Sequence, residues 1–477
     1  MNRVFRKGIA LISVLALLTA CTAYKPQSIE LPDNLPESFT THIEATSPEA
    51  SLNKWWESFG DSKLNALMKE TFSNNLSLAQ AYARLDRLLA VTRSTAATRR
   101  PFFNLAGEAS RTKQPGVSGD ITGSNYTLSV AAGYELDLWR KLDFRTKAAT
   151  LDADASREEV MSLYLTLSAQ LADLYYLSVE QRAQLNLTDR TITSYEDILE
   201  RVERRYKEGL VPALDIYQAR QNLASAKASR PVFEANLAVA EHAISTILGH
   251  YPKQGITGEL DILPEKISTF KTGIPSEILA HRPDIQAAFL RLKASDARIA
   301  AAIADRFPSF NLLGSYGSSS TALAAGDISG IFWSVLVSIA EPILDGGKRQ
   351  AEVDRSRAVF KEHLANYHQT VLNAFKEVED VLINNYTTEK RIAQLEKTVE
   401  ATEASLRLST DRYLQGLSDY FPVLTAQTFH FDAQAKLLAA QRQLLSDRIS
   451  LARALGGNWM DMEAVNRFTT QSKGQDS

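Results

Sequence analysis

The sequence predicts a mixed α/β membrane protein in which paired strands lead into very long coiled-coil helices, with the whole plan present twice. Three observations predict it. First, Arg205-Tyr206-Lys207-Glu208-Gly209-Leu210 recurs as Arg412-Tyr413-Leu414-Gln415-Gly416-Leu417, 207 positions further on. The same shift carries Pro101, Phe103, Asn104, Leu105 and Gly107 onto Pro308, Phe310, Asn311, Leu312 and Gly314, and Leu248-Gly249 onto Leu455-Gly456. A period that long marks a duplicated unit, not a solenoid of short repeats. Second, neither Gly nor Pro occurs from Tyr134 to Glu208 or from Lys348 to Gln415, and apolar residues recur there every seven positions. Third, a period-two alternation of apolar and polar residues precedes each long stretch.

At the N-terminus, Arg3, Arg6 and Lys7 precede an apolar run from Gly8 to Leu18, the layout of a secretory signal over residues 1–20. That run is too short to span a bilayer. The single cysteine of the chain, Cys21, follows at once and excludes an internal disulfide. Leu18-Thr19-Ala20-Cys21 resembles the bacterial lipobox, which implies a covalent lipid on Cys21 as the mature N-terminus. Thr22, where Asp favours inner-membrane retention in that sorting pattern, implies delivery to the outer membrane. Each buried methylene contributes about 0.8 kcal/mol, so three acyl chains anchor firmly where one holds only marginally. Residues 21–50, rich in Pro, Ser, Thr and Glu, form an extended leader.

The first repeat is expected over 51–260. Trp55-Trp56 opens it, and a short helix from Leu78 to Thr98 leads to strands over about 102–136. Phe103, Leu105, Gly107 and Ala109, then Tyr126, Leu128, Val130, Ala132 and Tyr134, form one apolar face. The polar stretch Arg111 to Asn125 reads as an exposed loop. A long helix over about 138–208 follows, then Gly209 and a return helix over 213–248 that Pro231 is expected to interrupt. The second repeat, 261–457, restates this plan. A helix runs from Ile285 to Arg306, strands lie over about 309–341 with a loop at Ser318 to Gly330, a long helix covers 348–415 and a return helix 421–455. Residues 458–477 are a tail. At 1.5 Å per residue each long helix reaches roughly 100 Å.

The rows Tyr164, Leu171, Ser178, Leu185, Ile192, Leu199, Tyr206 and Val371, Val378, Asn385, Ile392, Val399, Leu406, Tyr413 superpose under the shift and keep a seven-residue spacing, the signature of a coiled coil. Four apolar-faced strands cannot close a barrel, and open edges inside lipid would leave backbone groups unpaired. Oligomerisation is therefore required, giving eight strands from two subunits or twelve from three.

Other function classes find little support. Lys and Arg number 53 against 56 Asp and Glu, a net charge of −3, with no basic footprint for nucleic acid. Phosphate-loop, zincin and serine-nucleophile motifs are absent, which argues against an enzyme. His363 and His368 diverge on a helix, and Glu377, Glu379 and Asp380 read as exposed helix charge. Five Met and one Cys offer little soft metal ligation.

Leu18-Thr19-Ala20-Cys21, Trp55-Trp56, His281-Arg282-Pro283-Asp284-Ile285, Glu341-Pro342-Ile343-Leu344-Asp345-Gly346-Gly347, the paired Arg-Tyr-x-x-Gly-Leu segments and Ala454-Leu455-Gly456-Gly457 together resemble the TolC-like outer membrane factors, in their lipidated branch of multidrug or metal efflux outlet proteins. The resemblance implies a homotrimer in which each subunit gives four strands to a twelve-stranded outer-membrane β-barrel, continuous with a periplasmic α-barrel. It implies passage of substrate from an inner-membrane pump of the RND type through a periplasmic adaptor, the membrane fusion protein. No cofactor is implied beyond the lipid on Cys21. Alternatives are an outlet for protein secretion or a lipid-anchored coiled-coil tether without a pore, although a tether needs no apolar-out strands.

The resemblance further implies adaptor-docking tips at Arg205, Tyr206, Gly209, Leu210 and at Arg412, Tyr413, Gly416, Leu417. Tyr413 and Asp215 match positions of the family's periplasmic gate. Ser418 stands where some members carry a closing arginine, and Pro422 and Thr425 where they carry carboxylates. Asp215 with Asp419 is expected to supply an acidic ring instead, favouring cations.

Overall fold

The computed structural model describes residues 24–27, 39, 54–116, 119–264, 281–323, 326–457 and 460. The signal, Cys21, most of the leader and the tail beyond 460 lie outside the described residues. A one-turn 3-10 helix, Trp55–Phe59, precedes α1 (Ser62–Asn74) and α2 (Leu76–Ala97); then come β1 (Phe102–Gly116), β2 (Gly119–Leu136), α3 (Lys141–Lys207) and α4 (Ala213–Ile247). The second series is α5 (Pro283–Ala304), β3 (Ser309–Leu323), β4 (Gly326–Ala340), α6 (Lys348–Leu414) and α7 (Phe421–Leu455). Helix α1 escaped the sequence reading; Asp61 starts it by accepting from the amides of Lys63 at 2.8 Å and Leu64 at 3.0 Å.

The repeats are not separate compact domains. The chain forms two units, Met1–Leu31 with Arg84–Arg157 and Ala287–His368, and Pro32–Ala83 with Glu158–Gln286 and Gln369–Ser477. Each draws on both repeats: in the first the strands of the two halves pair with one another, and in the second helices of the two halves share a core.

The first unit holds a single antiparallel sheet in the order β1-β2-β3-β4. Its ladders pair Leu105 with Val130, Val130 with Tyr316, and Tyr316 with Trp333. Directly opposed residues share a face, so this register gathers Phe103, Leu105, Leu128, Val130, Leu312, Tyr316, Trp333, Val335, Val337 and Ile339 onto one side. All ten are exposed in the single chain. The other side carries Asn104, Glu108, Thr127, Ser129, Asn311, Ser315, Ser319 and Ser334, and there Phe102 lies over Gly133, leaving no room for a Cβ. The stretches read as loops, Arg111 to Asn125 and Ser318 to Gly330, are instead mostly strand. Their Gly, Ser and Thr give no apolar alternation, yet backbone pairing carries the ladders to Gly116↔Gly119 and Leu323↔Gly326. Beyond the sheet, Trp139 stacks on Phe307 at 5.0 Å and donates to the Pro308 carbonyl at 2.8 Å.

In the second unit, Trp55, Trp56, Phe59, Phe72, Tyr164 and Tyr176 meet edge to face at 5.1–5.8 Å. The heptad rows are buried at Tyr164, Leu171 and Ser178, and at Val371, Val378 and Asn385. Helix α4 continues through Pro231; the interruption expected there does not occur.

Two contacts repeat under the 207 shift. Asn75 donates to the Ile247 carbonyl at 2.8 Å, and Arg282 to the equivalent Ala454 carbonyl at 3.0 Å, each tying the end of a return helix. Arg282 also grips Asp284 at 3.1 and 2.7 Å and Glu377 at 2.8 Å, while Arg453 bonds the same Glu377. Glu377 is thus a structural partner, not the exposed helix charge its sequence context indicates. The second contact repeats with its charges exchanged: Arg182 faces Glu241 at 3.4 Å, and at the equivalent positions Glu389 faces Arg448 at 3.0 Å.

Candidate functional site

The duplicated Arg-Tyr-x-x-Gly-Leu segments close α3 and α6 in the same way. Gly209 has φ +74° and Gly416 φ +76°, a left-handed conformation that glycine adopts without steric cost. The amides of Gly209 and Leu210 donate to the carbonyls of Tyr206 and Arg205, all at 2.9 Å, and those of Gly416 and Leu417 to Tyr413 and Arg412 at the same distance. These paired bonds form the Schellman motif, which satisfies the last carbonyls of a helix and reverses the chain.

Identical backbones carry different side-chain settings. Tyr206 is 45% exposed, whereas its counterpart Tyr413 is 3% exposed. Tyr413 packs with Val202, Ile216, Ala219, Tyr420 and Val423, a core drawn from all four long and return helices. Its ring meets that of Tyr420 at 5.4 Å, its hydroxyl donates to Asp215 Oδ2 at 3.3 Å, and the Arg205 guanidinium lies 5.1 Å from its ring centre. Arg205 also donates to the Leu414 carbonyl at 2.7 Å, at the C-terminus of α6, where a cation complements the helix dipole. Tyr420 donates to the buried Gln427 at 3.3 Å.

Burial pushes the Asp215 carboxyl above the ordinary carboxylate range and nearby Asp419 adds to the rise, while the Tyr413 hydroxyl and Arg205 oppose it. Burial, with the negative charge of Asp215, raises Tyr413 to about 12, so that hydroxyl stays protonated at any physiological pH.

Of the expected gate residues, the structure brings Asp215 and Tyr413 together. Asp215 is buried and Asp419 exposed, so they do not form one open acidic surface within the chain. The buried Ser418 hydroxyl has no hydrogen-bond partner among the described residues. Of the expected docking residues, Tyr206, Gly209, Leu210, Arg412, Gly416 and Leu417 are exposed, but Arg205 and Tyr413 turn inward onto each other. Tyr420 stands out in the sequence because it faces Ala213 across the repeat shift, whereas sequence reasoning missed Gln427, whose visible signal was Arg220 at the matching position of the first repeat. Among the described residues no group of three or more His, Cys, Asp or Glu is placed to hold a metal ion, and no helix is long and apolar enough to cross a membrane.

A family model described as outer membrane efflux protein matches residues 67–250 and again 274–457, the second match displaced from the first by the same 207 positions. The chain is 30% identical over 439 residues to the probable efflux pump outer membrane protein SepC of Pseudomonas putida, covering 88% of each. It is 28% identical over 466 residues to the probable outer membrane lipoprotein SilC of Salmonella typhimurium, covering 96% of this chain and 100% of that one. The solved open state of the Neisseria gonorrhoeae MtrE outer membrane channel aligns with a TM-score of 0.79 at 26% identity, over 92% of this chain and 99% of that one. With both halves matched and the fold shared throughout, the chain belongs to the outer membrane efflux protein family and is an outer-membrane channel component of an efflux system.

Proposed function

We propose that three copies assemble into a twelve-stranded β-barrel in the outer membrane, anchored by lipid on Cys21, with the long helices forming an α-barrel in the periplasm. Substrate enters from an inner-membrane pump of the RND type through a periplasmic adaptor. The adaptor docks on the exposed apolar tips at Leu210, Leu214, Leu417 and Phe421, and the buried Asp215–Tyr413–Arg205 contact holds the tip closed at rest. A secretion outlet shares this architecture, but the names of the relatives favour efflux.

One observation carries the assembly: the sheet exposes a continuous apolar face and leaves β1 and β4 as open edges. Lipid tolerates the first and forbids the second. The duplication also supplies the missing register. Within the chain Val130 pairs with Tyr316 and Ser129 with Gly317; moved by the repeat shift, these pairs become Val337 with Ala109 and Leu336 with Ser110 of the neighbouring copy. Apolar-face residues then oppose apolar-face residues, as inside the chain. Of two consecutive pairs in an antiparallel ladder, one is non-hydrogen-bonded with its Cα atoms about 4.5 Å apart, a separation a disulfide can bridge.

Val337→Cys with Ala109→Cys, and Leu336→Cys with Ser110→Cys, are therefore expected to yield oxidised species ending at three copies on non-reducing gels of outer membranes. The one-residue slip, Val337→Cys with Ser110→Cys, is expected to yield none. Ladders ending at two copies would indicate an eight-stranded barrel, and the absence of cross-links from both in-register pairs would overturn edge-to-edge assembly.

A further inference from the structure

Within the first unit the leader makes a contact that neither channel assembly nor gating uses. The Tyr24 hydroxyl donates to Asp296 Oδ1 on α5, and the Gln27 amide donates to the same oxygen at 3.0 Å. The Tyr24 ring meets Phe144, in the first turn of α3, edge to face at 6.4 Å and 79°. Among the described residues, the hydrogen bonds to Asp296 come from the leader alone.

The duplication tests whether this arrangement is incidental. Every chain has two equivalent surfaces of this kind but a single leader. At the positions matching Asp296 and Phe144 in the other repeat stand Leu89 and Ala351, which offer neither an acceptor nor a ring. The polar and aromatic groups occur once, where the leader lies.

We propose that Asp296 and Phe144 form a docking site for the chain's own leader, with Tyr24 as its latch, and that this contact fixes where the N-terminal lipid enters the bilayer. The placement of lipid rests on the acylation of Cys21 proposed above. Three residues of extended chain span at most about 10 Å, so a latched Tyr24 confines the acylated cysteine to that radius. Helix α3 follows β2 directly, so the acyl chains enter beside the base of the sheet and do not roam the length of a free leader.

The test uses the full-length, processed protein in detergent or native membranes. Hydrogen exchange at the Gln27 amide reports the latch. Because hydrogen bonds to a charged group are the stronger ones, Tyr24→Ala and Asp296→Ala are each expected to speed that exchange about tenfold or more, and the double variant no further. Unchanged exchange, or additive effects in the double variant, would overturn the docking site. Leu89→Ala serves as the control and leaves the exchange rate as it is.

Metabolic incorporation of a photoreactive fatty acid then reports placement. Cross-links are expected near the end of β2 and the start of α3 in the parent protein and dispersed in Tyr24→Ala; the same map in both would overturn the positional role. Mass spectrometry of the N-terminal peptide separates the two ideas, since an unmodified Cys21 would remove the lipid anchor while leaving the exchange result to judge the latch.

Discussion

Arg282 offers the most direct energetic test of how the second repeat is closed. Its side chain is 9% exposed and holds Asp284, Glu377 and the Ala454 carbonyl at once. Replacement by Ala removes these unequally. Asp284 is 37% exposed, and water can replace its partner at little cost, within about 1 kcal/mol. Glu377 is 21% exposed and keeps only Arg453, and the buried carbonyl at the end of α7 loses a donor, which costs about 1–3 kcal/mol. With the lost packing of the aliphatic stem, the total falls in the range of about 3–5 kcal/mol that follows loss of one member of a buried pair.

The first repeat shows a neutral solution at the same places, with Asn75 reaching the helix-end carbonyl and Gln170 standing where Glu377 does. Arg282→Asn with Glu377→Gln is therefore expected to recover at least half of the loss seen in Arg282→Ala. Urea titration of the detergent-solubilised protein, followed by circular dichroism, measures both. An Arg282→Ala protein within about 0.5 kcal/mol of the parent, the usual range for a surface substitution, would refute the reasoning. A double variant no better than Arg282→Ala would refute the proposed equivalence with Asn75.

Two further outcomes concern the tip. The folded state raises the carboxyl of Asp215, so its favourable contribution is fully present below the ordinary carboxylate range near pH 4 and is lost as pH rises through the raised value. Conductance of the reconstituted channel is expected to fall on acidification, and Asp215→Asn to flatten that dependence; an unchanged pH profile in the variant would count against Asp215 as the titrating group. Arg205→Ala removes a hydrogen bond and a cation–π contact together worth about 1–3 kcal/mol and is expected to raise resting conductance, whereas Arg412→Ala at the matching exposed position leaves it unchanged. Equal effects from both arginines would show that the contact with Tyr413 is not what closes the tip.

The long helices were legible because a seven-residue row survives duplication, and every boundary could be checked against its copy. The strands were legible only where they are amphipathic. Outside Phe103 to Ala109 and Tyr126 to Tyr134, and their counterparts Phe310 to Tyr316 and Trp333 to Ile339, backbone hydrogen bonds extend the sheet through stretches rich in Gly, Ser and Thr, whose side chains carry no period. Pro231 misled for the opposite reason: a local rule predicts a break, but one missing amide is tolerated in a helix whose neighbouring turns are held by tertiary contacts. The tip turns followed from their glycines. Periodicity could not show that Tyr413 is buried while Tyr206 is exposed, because it assigns a face to each helix and says nothing of which helix covers it. Arg282 and Glu377 lie 95 positions apart, and only the fold joins them.

The exchanged ion pairs have a consequence for how a duplicated chain avoids confusing its own halves. The two long helices and the two return helices have equal lengths and superposable patterns, so each long helix has two return helices that match it in pattern. A correct match sets Arg182 against Glu241 and Glu389 against Arg448. A crossed match would set Arg182 against Arg448 and Glu389 against Glu241, two repulsions in place of two attractions. Unlike charge in the right partner and like charge in the wrong one provide an address, discriminating against swapped hairpins within the chain.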